Sequence, residues 1–536
     1  MMPEAEGKQS TSMMPRPLKL VPAALCLTLV AGAGPWAGCG DGSGVAGADS
    51  DSDTDADTDT DTTDYPDGTE TPTRLCEIEY VIITPQSMAE AFQPLAEWKT
   101  RKGVPTVLKT TEKIYEQYSG VDQAEQVREF LKELAAVQPK LQWVLLGGDT
   151  PHVPHREFWS EADVFGYYHT SGVLASDLYF ADLDGTWDGD GDGTWGEPED
   201  GLDLIPELYV GRAPVDDADE AAGFVAKVLA YEQAPPEDFV NTALFVSEPT
   251  GYGIPAAMGI DPMASEIFPE RFEIRKLYDE WEGYANAEEN TYDAQLEAFD
   301  TGFNLYAHFG HGGGSDVSYL DMSDIHALDN GPRNGVFVTT ACFSGAFHTE
   351  EQSGGEGFVA NPDGGGIAYI GNTEIGLGFP SGMDYILQFY KELFSHRYPV
   401  VRLGELFSRA RVDFTTDRDR HEAQGPDRWC TLELVLFGEP EMQIWRDEPA
   451  RLEVEHPQRL VPGKNRLIVT VRRNGRALEG ASVTLSHPEV MLHTVITDAQ
   501  GRAELRVAPT EVGEAWLGVT GFQVVPYVVP LVIEEI

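Results

Sequence analysis

The chain has 536 residues, 41% of them hydrophobic, which is too long for one core and implies roughly two to four domains. It carries 90 Asp plus Glu against 37 Lys plus Arg, a formal net charge of -53, so nucleic acid and anionic membrane surfaces are excluded as electrostatic partners. No redox cofactor is expected.

Residues 1–38 read as a secretory leader. Arg16 and Lys19 precede the apolar stretch VPAALCLTLVAGAG, too short to span a bilayer in a mature protein. The stretch ends in WAGCGDG, where Ala37 and Gly38 precede Cys39; this resembles a bacterial lipobox, with Trp36 where Leu is usual. A lipid on Cys39 is the expected, and only, membrane link; plain cleavage near Ala37 with free secretion is the alternative. Residues 39–74 contain GADSDSDTDADTDTDTTD, whose closely spaced, mutually repelling Asp residues predict a disordered acidic stalk. Of the five cysteines, Cys26 leaves with the leader and Cys39 is acylated. A disulfide between Cys76 and Cys430 would leave Cys342 free.

From residue 75 to 234 strand and helix patterns alternate. EYVIIT, VPTVLKT and QWVLLGGD read as strands, and SMAEAFQPLAEWKTRKG and VDQAEQVREFLKELAAVQPK as helices. A long acidic, Gly-rich insertion follows, from about Thr150 to Asp203; ELYVGRAP and the helix DADEAAGFVAKVLAYEQ close the unit. A second α/β unit, 235–448, runs through TALFVSEP, EIRKLYD, NLYAHFG, NGVFVTTAC, GGIAYIGN and a last strand ELVLFGEPEMQIW. The expected fold class is therefore α/β, two open and mostly parallel sheets covered by helices. Residues 449–536 change to short alternating strands, the pattern of a small immunoglobulin-like β-sandwich.

His311 ends the run NLYAHFGHGGG, and Cys342 ends VFVTTAC 31 residues later. In an open α/β sheet, ligands gather at the carboxyl ends of strands. A thiol there needs a base or a neighbouring charge to become a nucleophile, and an imidazole supplies either. The glycines after His311 let backbone approach a scissile peptide, so the Gly312 and Cys342 amides are the expected oxyanion donors. Taken singly, Cys342 is more simply a buried strand-end residue and His311 a turn residue; the pairing favours chemistry. His308 is the second-ranked histidine, because Phe309 and not glycine follows it.

The forms GHG and TACFSGAF, with LGGD upstream, ELYVGR before a helix and LFGEPEMQIW near the end, resemble the gingipain family within the caspase-like clan of cysteine peptidases. The resemblance implies a caspase-like fold over about Leu75 to Trp445, Cys342 as nucleophile, His311 as general base or acid, and Glu207 as the acid that orients the histidine. It implies a prodomain too, for which leader and stalk leave no room. It places the acid that reads the residue before the scissile bond near Asp216, Asp217, Asp219 and Glu220. A carboxylate could hold an imidazole tautomer, but Glu207 at a strand start is, without the resemblance, more simply a solvated residue.

The insertion carries a second signal. Counting from Asp188, carboxylates fall at Asp188, Asp190, Asp192 and Glu199, with Gly193 at the sharp turn and the Thr194 carbonyl beside it, the oxygen-ligand order of an EF-hand loop. A structural calcium ion is expected there, on a loop without flanking helices. The combined expectation is an exported, surface-anchored or secreted cysteine endopeptidase acting on protein or peptide substrates through a thioacyl intermediate. The alternative is a catalytically silent surface binding or adhesion protein that keeps the fold.

Overall fold

The computed structural model describes residues 77–164, 166, 168–250, 255–349, 351–395, 402–487 and 491–535. The leader, the acidic stalk and Cys26, Cys39 and Cys76 lie outside the described residues.

The first unit opens with β1 (Tyr80–Thr84), β2 (Thr106–Thr110) and β3 (Trp143–Gly147), with helices Ala89–Arg101 and Gln123–Val137 between them. Part of the insertion is a hairpin, β4 (Arg156–Val164) and β5 (Tyr168–Ser176). Its alternating burial is that of a sheet with one covered face, and it packs on the helix Pro426–Glu433. β6 (Tyr209–Ala213) and the helix Ala218–Gln233 complete the unit.

The second unit supplies β7 (Thr242–Ser247), β8 (Glu273–Tyr278), β9 (Ala287–Glu289) and β10 (Leu305–Phe309). There follow a short hairpin, β11 (Asp316–Val317) with β12 (Leu320–Asp321), then β13 (Gly335–Thr339), β14 (Gly366–Asn372) and β15 (Leu434–Phe437). The two expected sheets are in fact one, of eleven strands in the order β2-β1-β3-β6-β15-β14-β13-β10-β7-β8-β9. The apolar strand LVLF is the cause: β15 lies between the units, antiparallel to β14 and joined to β6 at the pair Phe437 with Arg212. The last strand is also shorter than its apolar pattern suggests. It stops at Phe437 because Gly438 has φ 146 and Pro440 has no N–H to donate. The Glu439 and Glu441 side chains turn instead to the buried Lys99 ammonium.

Both faces of the sheet are covered. In β1, Tyr80 and Ile82 enter one hydrophobic core while Val81 and Ile83 enter another, which is why the central strands read as unbroken apolar runs. Residues 452–533 form two further sheets, of four and five strands, around a third core that includes Leu467, Val469, Leu485 and Leu517. They pack on the first unit, where the Arg101 guanidinium lies 4.1 Å above the Trp516 ring. Among the described residues no helix is long and apolar enough to cross a membrane.

Candidate active site

Register brings the predicted pair together. β10 and β13 are parallel neighbours with His308 opposite Thr339, so His311 and Cys342 each lie three residues beyond the same rung. Adjacent strands are about 4.8 Å apart, and the two loops touch. A Cβ placed on Gly312 would stand 2.9 Å from the Ala341 Cβ and 3.4 Å from the Cys342 carbonyl oxygen. Only glycine allows that approach.

The His311 ring is held through Nε2, 2.8 Å from the Pro249 carbonyl oxygen. A carbonyl can only accept, so Nε2 carries the proton and the basic lone pair is on Nδ1. The carboxylate that serves this loop is Glu248, at the end of β7, the next strand over. It accepts the His311 main-chain N–H at 2.6 Å and the Ser318 hydroxyl at 2.6 Å, and His308 Nε2 lies 3.4 Å away. Burial alone would push this carboxyl up. Hydrogen bonding and charge from His308, with the His311 N–H and the Ser318 O–H, outweigh it and hold Glu248 at about 2. Gly310 makes room: a Cβ there would lie 2.2 Å from Glu248 Oε2. His308 is fully buried and its Nδ1 meets the Thr339 hydroxyl at 2.7 Å, which also accepts the Ala341 N–H at 2.9 Å. The second-ranked histidine thus ties the cysteine loop to Glu248.

Glu207 stands elsewhere. It precedes β6, accepts the Leu183 N–H at 2.6 Å and groups with Asp182 and Asp184. The carboxylate at His311 comes instead from SEP at the end of TALFVSEP. Sequence marks it only by its place just past an apolar strand, a signal that becomes specific once β7 is known to neighbour β10.

Burial raises the Cys342 thiol above its ordinary value; backbone hydrogen bonding at Gly376 and at Cys342 itself opposes this, and Glu433 and Glu374 add to it. Sγ lies 3.8 Å from the Gly376 oxygen. The thiol therefore starts protonated and needs a base. The next residue, Phe343, has φ 56, a left-handed conformation costly for an aromatic residue, and is held there by its N–H bond to the Glu374 oxygen at 2.9 Å. Around Gly312, Ser318 N–H reaches the His311 oxygen at 3.0 Å and Gly313 N–H reaches the Asp316 oxygen at 3.2 Å. Gly312 is then the non-bonded member of its pair with Val317, and its own N–H points away from the hairpin.

The family model for peptidase family C25 matches residues 74–445 of this sequence. The chain belongs to peptidase family C25, the gingipain family, and so to the cysteine peptidases. Solved structures agree on the fold. The Arg-specific cysteine proteinase gingipain R (RgpB) is 18% identical, with TM-score 0.67, over 85% of this chain and 98% of its own. The complex of Porphyromonas gingivalis RgpB pro- and mature domains is 18% identical, with TM-score 0.66, over 85% of this chain and 100% of its own. No curated protein matches the chain.

Among the described residues three carboxylate groups converge; Glu232, Glu439 and Glu441 already bind the Lys99 ammonium, and the other two could hold a cation. Asp188, Asp190 and Asp192 converge, each also accepting a backbone N–H of its own loop, from Gly193, Asp192 and Thr194 respectively. Glu199 is exposed in the short helix Pro198–Asp200 and does not join their cluster. The second group is Asp182, Asp184 and Glu207. Asp182 is 0% exposed, and its Oδ2 has no hydrogen-bond partner. Burial, then Asp203 and Asp184, pushes Asp182 up to about 6; partial burial, then Asp184 and Asp182, pushes Glu207 up to about 7. A divalent cation fits such an oxygen donor set, because it neutralises carboxylates that otherwise repel one another.

Of the acids expected to read the residue before the scissile bond, Asp217 caps the helix Ala218–Gln233, and Glu220 accepts the Asp216 N–H at 2.9 Å. Cys430 is buried in the helix Pro426–Glu433 and unpaired among the described residues; its expected disulfide partner, Cys76, lies outside them.

Proposed function

We propose that this protein is a cysteine endopeptidase in which Cys342 attacks the scissile carbonyl and His311 moves the proton. The matched register of His311 and Cys342 beyond β10 and β13 carries this reading. His311 Nδ1 takes the proton from the raised Cys342 thiol. The thiolate adds to the carbonyl carbon, and the Gly312 and Cys342 amides receive the oxyanion. The imidazolium then protonates the leaving amine, giving a thioacyl enzyme that water hydrolyses. Pro249 fixes the tautomer and Glu248 fixes the loop. Calcium rigidifies the insertion through Asp182, Asp184 and Glu207, with Asp188, Asp190 and Asp192 as a second set. An exported chain, lipid-anchored at Cys39 or secreted, with an immunoglobulin-like C-terminal domain, completes the reading.

The test is a positional-scanning peptide library offered, with calcium and reductant, to wild type and Cys342→Ala. Expected are turnover by wild type alone and iodoacetamide labelling of Cys342. A folded wild type that cleaves nothing would favour the silent binding protein, and an active Cys342→Ala would refute the nucleophile.

A further inference from the structure

The turn that joins β11 to β12 is built in an unusual way. It has two residues, Ser318 and Tyr319, and Ser318 takes φ 56. Tight hairpins require that conformation, and glycine or asparagine adopts it more cheaply than serine. The side chain explains the serine. Its hydroxyl donates to Glu248 Oε1 at 2.6 Å, while its main-chain N–H donates to the His311 oxygen at 3.0 Å. Since the single hydroxyl proton goes to Glu248, the oxygen accepts from elsewhere, and Gln295 Nε2 supplies that bond at 2.5 Å.

Gln295 is itself fully fixed. It is 0% exposed, it also donates to Asn290 Oδ1 at 2.7 Å, and its Oε1 accepts the Tyr319 N–H at 3.2 Å. Glu248 in turn accepts the His311 N–H. The result is a closed set of bonds in which the His311 main chain is gripped at its N–H through Glu248 and at its oxygen through Ser318.

We propose that Ser318, oriented by Gln295, is a positioning residue of the peptidase reaction, setting where the His311 ring stands relative to the Cys342 thiol. The proposal rests on the peptidase reading above. Ser318 touches neither substrate nor thiol; it acts through Glu248 and the His311 backbone. Misplacement of a proton-transfer group by about 1 Å costs on the order of 100-fold in rate, so this grip bears on kcat.

Ser318→Gly separates the role from mere folding, because glycine accepts the turn's φ without strain but has no hydroxyl. Expected on a cleavable peptide are a kcat lowered about 10- to 100-fold, a KM within about twofold of wild type, and an unfolding midpoint only a few degrees lower, because relief of the turn's strain partly offsets the lost bond to Glu248. Ser318→Ala, which keeps the strain and also lacks the hydroxyl, should show the same kcat loss. Wild-type kcat in Ser318→Gly, or a change confined to KM, overturns the proposal while leaving the peptidase reading intact. A folded wild type without Cys342-dependent turnover overturns both.

Discussion

Replacing Glu248 by Gln tests whether the buried carboxylate holds the histidine loop through its charge. The gap between the ordinary 4.5 and about 2 corresponds to about 3 kcal/mol of folded-state preference for the ionised form. Its side chain is 4% exposed, so solvent screening removes little of this. A second route gives a similar size. Gln has one acceptor oxygen, and its NH2 group would face either the Ser318 O–H or the His311 N–H and His308, leaving at least one buried donor unmet at about 1–3 kcal/mol. The sign follows from the depressed value: the contribution is present above about pH 4.5 and is lost as pH falls toward 2. Urea unfolding should therefore find Glu248→Gln about 3 kcal/mol less stable at pH 7, with the gap reduced to about half near pH 3. Turnover should fall as well, since the His311 main chain loses its acceptor. A stability gap that is the same at both pH values, or below about 0.5 kcal/mol at pH 7, would refute the argument.

Calcium removal gives a prediction of opposite sign. The folded values of about 6 for Asp182 and about 7 for Glu207 lie above the ordinary 3.8 and 4.5, so without a cation stability should fall as pH rises from 3.8 to about 7. Adding EGTA should lower the melting temperature at pH 7.5 more than at pH 5, and Asp182→Asn should blunt that response; equal melting with and without EGTA removes the cation from the account. Lys227 offers a third check. It is buried with its ammonium on the carbonyl oxygens of Asn361 at 2.7 Å, Gly366 at 2.9 Å and Gly364 at 3.2 Å, and burial pulls it down to about 7 from 10.5. The unfolded chain then binds a proton that the folded chain has released, so this group's contribution to stability rises from pH 7 toward 10.5. Wild type should gain on Lys227→Met across that window, and a flat difference would contradict it.

The candidate pair of Cys342 and His311 was readable because each ends an apolar strand and is followed by small residues, a pattern local to the chain. Strand and helix identity in both α/β units followed from the same local periodicity. Glu248 was not readable in this way, since its link to His311 spans 63 residues and exists only because β7 lies beside β10. Glu207, proposed from a motif, belongs to a carboxylate group that the fold assembles from separate segments. The union of two sheets into one likewise depends on where the four residues of β15 insert, which periodicity does not specify.

Composition, the strand-end pairing of His311 with Cys342 and the C25 motifs were thus determined by the sequence alone, because they rest on residue type and near-neighbour spacing. The carboxylate at the histidine, its tautomer on Pro249 and the Ser318 grip were decided only by the tertiary structure. Hydrogen bonds select partners by distance in space, and strand order, which chain order does not dictate, sets those distances.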